Sequence, residues 1–161
     1  MGGLALGEGL QLHGKLSYTV YRNKAPIERF EDSNLIMDAM RFKMIRIIAG
    51  DLLEDAESDI AGLAINHIEI GTNRGGLSSG NTEITGPFPI AIKGHEYPGV
   101  GQARHFVRFL WELLESEANG MAISEFGLVT DDGSLFARRT RERPLYKESD
   151  ISIEGEWVVS L

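Results

Sequence analysis

The chain has 161 residues, a length that suits one folded domain with its own hydrophobic core. Its 24 acidic and 16 basic residues give a formal charge of −8, which favours solubility and argues against a general affinity for nucleic acid or anionic membranes. Cysteine is absent, so neither a disulfide scaffold nor a thiolate metal site is possible. No stretch approaches the roughly 18 apolar residues of a membrane-spanning helix.

The first part of the chain has the pattern of an arm followed by a hairpin. Residues 1–9 are mostly glycine and small apolar residues, so we expect a flexible arm there and a single β-rich domain over residues 10–161. From Leu10 to Tyr21 apolar and polar residues alternate, which predicts a long strand. Arg22 to Pro26 predicts a turn, and Ile27 to Glu31 a short returning strand.

The next segment has the pattern of a helix from Leu35 to Ala49. Asp32 and Ser33 suit its N-terminal cap, and Gly50 suits its C-terminal end. We predict that its apolar face packs on a sheet, and that the polar side, which carries Leu35 and Phe42, contacts another subunit. The apolar face consists of Ile36, Met37, Met40, Met44, Ile47 and Ile48, opposite Asp38, Arg41, Lys43 and Arg46.

The middle of the chain alternates between polar segments and short apolar ones. Asp51 to Gly62 is acidic and predicts a solvated linker or a short helix. Ala64 to Thr72 predicts a strand, and Asn73 to Gly80 a surface loop. Residues 81–101 contain several prolines and glycines, so we expect no more than an edge strand there, formed around Phe88, Ile90 and Ile92.

Residues 102–117 fit two patterns equally well. Phe106, Leu110, Leu113 and Leu114 have the spacing of a helix, and Asn119-Gly120 would end it. A strand fits equally, because alternate positions from 103 to 113 are apolar or aromatic apart from His105. The residues themselves leave both alternatives open.

The last part of the chain has a strong β pattern. Asp132-Gly133 lies between two apolar runs, which predicts a hairpin over residues 121–141. A terminal strand follows, from Ile151 to Leu161, and its period-two apolar face places Trp157 in the core. Taken together, these elements predict one antiparallel domain, a β-sandwich with the helix from Leu35 to Ala49 packed on it.

Spaced motifs in this chain resemble a known family. The C-terminal cassette reads ANG-x-x-ISEFGL from Ala118, then DDGSLFARR from Asp131, then K-x-SDISI-x-x-EW from Lys147. Asn34-Leu35-Ile36 and the stretch from Ile65 to Thr72 fit the same pattern upstream. Together these motifs resemble a family of small structural proteins of tailed bacteriophages, found among tail, fibre or baseplate components.

The resemblance implies both a structure and a function. A strand precedes the ANG turn in that family, which favours the strand at residues 102–117. The implied function is that of a non-enzymatic virion component, made in the host cytoplasm, which contacts copies of itself and other virion proteins. A tail, baseplate or fibre location comes first, and capsid decoration is the alternative. No cofactor, membrane or specific nucleic acid is expected.

Candidate chemistry in the chain is sparse. The histidines at 13, 67, 95 and 105 are spread out and predict no metal site. A carbohydrate-binding or glycan-cleaving module is the rival hypothesis, since Glu112, Glu115 and Glu117 lie near Trp111, whose ring could stack on sugar.

One basic cluster stands out in this acidic chain. Because arginine pairs well with a neighbour's carboxylates, we predict a subunit contact there, with a plain solvated face or a DNA contact as the alternatives. The cluster ends at Lys147, and its candidate contact residues are Arg138, Arg139, Arg141 and Arg143.

Overall fold

The computed structural model describes residues 12–50, 62–97 and 106–160. The arm expected at residues 1–9 and nearly all of the acidic segment expected from Asp51 to Gly62 lie outside these ranges. The described residues form one helix, α1, Asp38–Ala49, and eight strands. The strands are β1, His13–Arg22; β2, Ala25–Ile36; β3, Ile65–Gly71; β4, Phe88–Glu96; β5, Phe106–Leu113; β6, Ala122–Thr130; β7, Leu135–Tyr146; and β8, Ile151–Ser160.

The eight strands close into one antiparallel barrel. Their order around the barrel is β1, β2, β7, β6, β3, β4, β5 and β8, and β8 pairs with β1 to complete the circle. The predicted sandwich is therefore wrong. Every strand expected from the sequence is present, and β5 resolves the ambiguous segment as a strand. Apolar alternation is the same in a sandwich and in a barrel, so the pattern did not distinguish the two.

Closure depends on two strands that change partner along their length. β2 pairs with β1 over most of its length and with β7 at Leu35 and Ile36. β4 pairs with β3 in its first half and with β5 in its second half, with a register shift between Ile92 and Gly94. Such irregularities bend a strand from one sheet toward the next. The strand expected within residues 81–101 is present as β4, but its expected position at a sheet edge is wrong, since β4 has a partner on both sides.

Large apolar side chains fill the barrel interior. Tyr18 stacks between Phe30 and Phe126, with 4.8 Å between its ring centroid and each of theirs. The prediction for Trp157 is confirmed, because its side chain is fully buried and its Nε1 donates a hydrogen bond to Oδ1 of Asn34 at 2.9 Å. Other residues of this core include Leu16, Val20, Ile68, Ile70, Trp111, Leu113, Leu128, Ile151 and Ile153.

Helix α1 differs from the prediction in both its start and its packing. It begins at Asp38 because β2 continues to Ile36, and it ends as predicted at Gly50, whose φ is 71°. The predicted packing of the helix on the sheet is wrong. Met40 is the buried residue of α1, while Ile48, assigned to the core face, is 77% exposed. The helix connects strands at one end of the barrel, so little of its surface meets the sheet.

The two ends of the barrel carry different structures. Because neighbouring strands are antiparallel, odd-numbered strands start and even-numbered strands finish at the same end. We call this the helix end, since α1 directly follows β2 there. The opposite end, where odd-numbered strands finish, carries the turns from Leu114 to Met121 that connect β5 with β6. We call it the turn end.

Candidate functional site

Successive side chains of β7 point to opposite faces of the sheet, so the arginines predicted as a subunit contact do not form one surface. Arg138 is buried on the outer side of the barrel wall, where it pairs with Glu125. Arg139 and Arg141 point the other way, toward β2, and form ion pairs with its carboxylates. Arg143 is exposed. A neighbouring subunit could therefore reach the guanidinium of Arg143 directly, whereas that of Arg138 is enclosed.

A segment from residue 72 to residue 87 covers the Glu125–Arg138 pair. Oε1 of Glu125 accepts hydrogen bonds from the backbone N–H groups of Asn73, at 3.1 Å, and Thr85, at 2.7 Å. Nη1 of Arg138 donates to the carbonyl oxygen of Gly76 at 3.2 Å and to Oδ1 of Asn81 at 3.1 Å. Glu125 thus holds both ends of the segment, and Arg138 holds its middle.

The same segment packs a second, smaller apolar cluster against the outside of the barrel. Ile84 is its central residue, and it lies against Gly71 and Gly127 of the neighbouring strands β3 and β6. A Cβ atom at Gly127 would come within 2.6 Å of Ile84, so this close approach requires glycine. Met37, Val129 and Leu135 complete the cluster.

Arginines of β7 also bind carboxylates of β2. The backbones of these two strands pair at only two residues, and the arginine contacts lie beyond them. Nη2 of Arg139 lies 2.6 Å from Oδ2 of Asp32, and Nη2 of Arg141 lies 3.0 Å from Oε1 of Glu28. Arg141 also donates from Nη1 to the hydroxyl oxygen of Tyr18 at 2.8 Å. Burial raises the pKa of Tyr18 to about 12, and the charge of Arg141 opposes part of that rise. Side chains therefore extend the short backbone pairing between these strands.

Lys147, the last residue of the basic stretch, is buried at the turn end. Its Nζ donates to the carbonyl oxygens of Glu115, at 3.0 Å, and Glu148, at 3.1 Å, and to Oδ1 of Asn119 at 2.9 Å. Burial lowers the pKa of Lys147, while the nearby carboxylates, Glu117 first among them, act in the opposite direction. Sequence reasoning missed this role, because a lysine that fixes a turn has no spacing signature.

The residues suggested for glycan chemistry do not come together. Trp111 is 1% exposed and its ring packs inside the barrel against Gly155, so it cannot stack on a sugar. Glu112, on the outer face, forms an ion pair with Lys93, with 3.1 Å between Oε2 and Nζ. Trp157 is equally enclosed. The aromatic platform on which the carbohydrate hypothesis depended is therefore missing at both tryptophans.

Half-buried and exposed carboxylates nevertheless line two shallow grooves at the turn end. The grooves have volumes of about 430 and 450 Å³ and adjoin at Glu112 and Leu114, which line both. Leu114 is 47% exposed. Around it lie the carboxylates of Glu112, Glu115, Glu117 and Glu154 and the ammonium groups of Lys24 and Lys93.

The outer face of α1 exposes large apolar side chains at the helix end. Phe42, Ile45 and Ile48 are 64%, 62% and 77% exposed. Their spacing of three residues places them along one stripe of the helix. The guanidinium carbon of Arg46 lies over the Phe42 ring, 5.6 Å from its centroid. We refer to Phe42, Ile45 and Ile48 as the α1 stripe.

Other classes of site find little support in the part of the chain that the structure describes. Within those residues, no three histidine or acidic side chains are placed to hold a metal ion. Both ring nitrogens of His67 lie within hydrogen-bonding distance of an oxygen atom. Nδ1 is 2.8 Å from Oδ1 of Asn66, and Nε2 is 3.0 Å from Oε1 of Glu69. No helix among the described residues is long and apolar enough to span a membrane.

Comparisons of the chain with protein-family models, with curated proteins and with solved structures gave no significant match in any of the three.

Proposed function

We propose that this protein is a non-enzymatic structural component of a tailed-phage virion, associated with the tail, baseplate or fibres. It acts by binding copies of itself and other virion proteins. The observation that carries this proposal is the α1 stripe, whose large apolar side chains Phe42, Ile45 and Ile48 are each more than half exposed. The spaced motifs of the C-terminal cassette favour a phage particle as the setting for such contacts.

The stripe supports assembly because α1 has little packing against the residues that the structure describes. A helix of 12 residues is marginal in water, and tertiary packing of one face normally supplies most of its stability. In α1 one residue, Met40, is fully buried, while three large apolar side chains face solvent. Exposed apolar patches of this kind mark sites of contact with other molecules. A partner that covers the stripe would complete the packing of the helix.

The barrel itself suits a structural role. Its interior is filled by a continuous apolar core that reaches from Leu16 and Tyr18 of β1 to Trp157 of β8. Rigid, closed β architectures expose few free strand edges. The function therefore depends on the outside of the barrel, where the helix, the covering segment and the grooves lie. A capsid-decoration protein would use the same surfaces. The location of the protein in the particle therefore distinguishes decoration from a tail role.

Electron microscopy of antibody-labelled particles tests the proposal. Label on the tail, baseplate or fibres is the expected result. Label on the capsid would replace this location with decoration, and intact particles without label would contradict a structural role. A glycan-cleavage assay on the isolated protein tests the enzymatic rival in parallel. Cleavage that is lost in Glu112→Gln and kept in Glu83→Gln, a carboxylate outside the grooves, would replace the proposal.

A further inference from the structure

We propose that copies of this chain bind head to tail, with the α1 stripe of one copy in the acidic grooves of the next. The inference rests on the proposed function, because it specifies one of the contacts through which the component would assemble. Two complementary surfaces at opposite ends of the same barrel carry it.

The helix end presents apolar area flanked by positive charge. Beside the α1 stripe lie Arg41, which is exposed, and Arg46, whose guanidinium lies over Phe42. The remaining cation of the helix, Lys43, is engaged within the copy, since its Nζ binds Asp132 and Ser134. Arg41 and Arg46 are therefore the cations of α1 that are available to a partner.

The turn end also presents an apolar residue, but the charge around it is negative. Leu114, 47% exposed, lies where the two grooves adjoin and offers apolar contact. Four carboxylates and two ammonium groups line the two grooves, and one of the ammonium groups, Lys93, is already paired with Glu112. The grooves therefore keep an excess of negative charge around an apolar centre. That arrangement matches the apolar stripe and its two arginines in both polarity and sign.

The position of the two surfaces determines how copies could be arranged. α1 follows the last residue of β2 at the helix end, whereas Leu114 follows the last residue of β5 at the turn end. One copy can therefore use both surfaces at once. A contact between two different surfaces of identical subunits is heterologous, and its repetition gives a ring or a filament.

A symmetric contact between two α1 stripes is the main competing arrangement. It would bring Arg41 and Arg46 of both copies together, and like charges across an interface oppose binding. Two grooves facing each other would likewise bring carboxylates together. The charges thus favour the mixed contact over both symmetric ones.

Complementary charge reversals test the contact in solution. Arg41→Glu with Arg46→Glu reverses the helix surface, and Glu117→Lys with Glu154→Lys reverses the groove surface. We expect the wild-type chain to associate in analytical ultracentrifugation, with an average mass that rises with concentration. Each reversed variant alone should remain monomeric. An equimolar mixture of the two should associate again, because each reversed surface then meets its complement.

The same measurements can overturn the inference. A groove variant that still self-associates would indicate contact between two helices, and a helix variant that does so would indicate contact between two grooves. A mixture that stays monomeric, with both variants shown to be folded by thermal melting, would also refute the mixed contact. Glu83→Lys with Glu142→Lys, the same charge change outside the grooves, is the control and should associate like the wild type.

A monomeric wild-type chain would refute the contact and leave the proposed function open, because recovery in particles is a separate measurement. Conversely, head-to-tail association of a protein that is absent from particles would refute the proposed function alone.

Discussion

Nε of Arg138 lies 2.8 Å from Oε2 of Glu125, and both side chains are buried between the wall of the barrel and the segment 72–87. The two residues belong to the adjacent strands β6 and β7. Oε1 of Glu125 accepts hydrogen bonds from the backbone of Asn73 and Thr85, and Nη1 of Arg138 donates one to the carbonyl oxygen of Gly76. One ion pair thus joins two strands and anchors the longest described connection outside the barrel.

Loss of one charge from this pair should destabilise the fold strongly. In Arg138→Met, Glu125 stays buried without its cation, and breaking a buried pair in this way costs about 3 to 5 kcal/mol. The free energy of unfolding from urea denaturation measures this cost. Arg143→Met, at an exposed position of the same strand, is the matched control and should change stability by less than about 0.5 kcal/mol. Equal stability of the two variants would refute the structural role of the pair.

A double variant separates the ion pair from the anchoring of the segment. Glu125→Leu combined with Arg138→Met removes both charges, which by itself is often nearly neutral. The backbone N–H groups of Asn73 and Thr85 would still lose their acceptor. We therefore expect the double variant to stay below the wild type in stability, and faster amide hydrogen exchange at these two residues should accompany the loss.

Gly155 should tolerate no side chain. A Cβ atom at this position of β8 would overlap Cζ2 of Trp111, a ring held inside the core. Overpacking of this kind costs about 1 to 3 kcal/mol or more, so Gly155→Ala should lower the melting temperature markedly. Gly94→Ala is the control, since a Cβ atom at that glycine of β4 meets no atom within 4 Å. A Gly155→Ala variant that melts with the wild type would contradict this packing.

Trp157 should contribute more to stability than any exposed aromatic residue. Its side chain is 0% exposed, and truncation of a large core side chain to alanine costs about 3 to 5 kcal/mol. Trp157→Ala also removes the hydrogen bond to Asn34. Calorimetric melting measures the loss, with Tyr146→Ala, at 67% exposure, as the control. Emission typical of a water-exposed indole from Trp157 in a Trp111→Phe background would show that the assignment to the core is wrong.

Tyr18 should make the fold sensitive to alkaline pH. Burial raises the pKa of Tyr18 from 10.0 to about 12 in the folded chain. The unfolded chain therefore loses this proton first as the pH rises, so the free energy of unfolding should fall between about pH 10 and 12 and be unaffected below that window. Tyr18→Phe should lack this part of the decline, whereas Tyr146→Phe should keep it. Identical alkaline profiles for both variants would contradict the raised pKa.

Much of the fold could be predicted from local pattern. Period-two alternation located the strands, and Asp132-Gly133 located the turn between β6 and β7, where Gly133 has a φ of 83°. The closure of the barrel could not be predicted in this way, because it depends on β2 and β4 changing partners. Those changes require long-range pairings, such as Leu35 with Arg138, that leave no periodic signal in the sequence.

The candidate sites were harder to predict than the strands. The arginine cluster was visible as composition, but the burial of Arg138 depends on Glu125 and on a covering segment that is distant in sequence. The exposure of Phe42 agrees with the expected side of the helix, whereas that of Ile48 does not. A helical wheel assumes that the helix lies along a sheet, and it fails for a helix placed at a barrel end.

We propose that the chain is a repeated structural part of a phage particle. Quantitative mass spectrometry of density-purified particles, with isotope-labelled peptides of this chain as standards, measures its copy number directly. We predict many copies per particle, in a fixed ratio to a neighbouring virion protein. Absence of the chain from purified particles, while it is abundant in the infected-cell lysate, would contradict the claim.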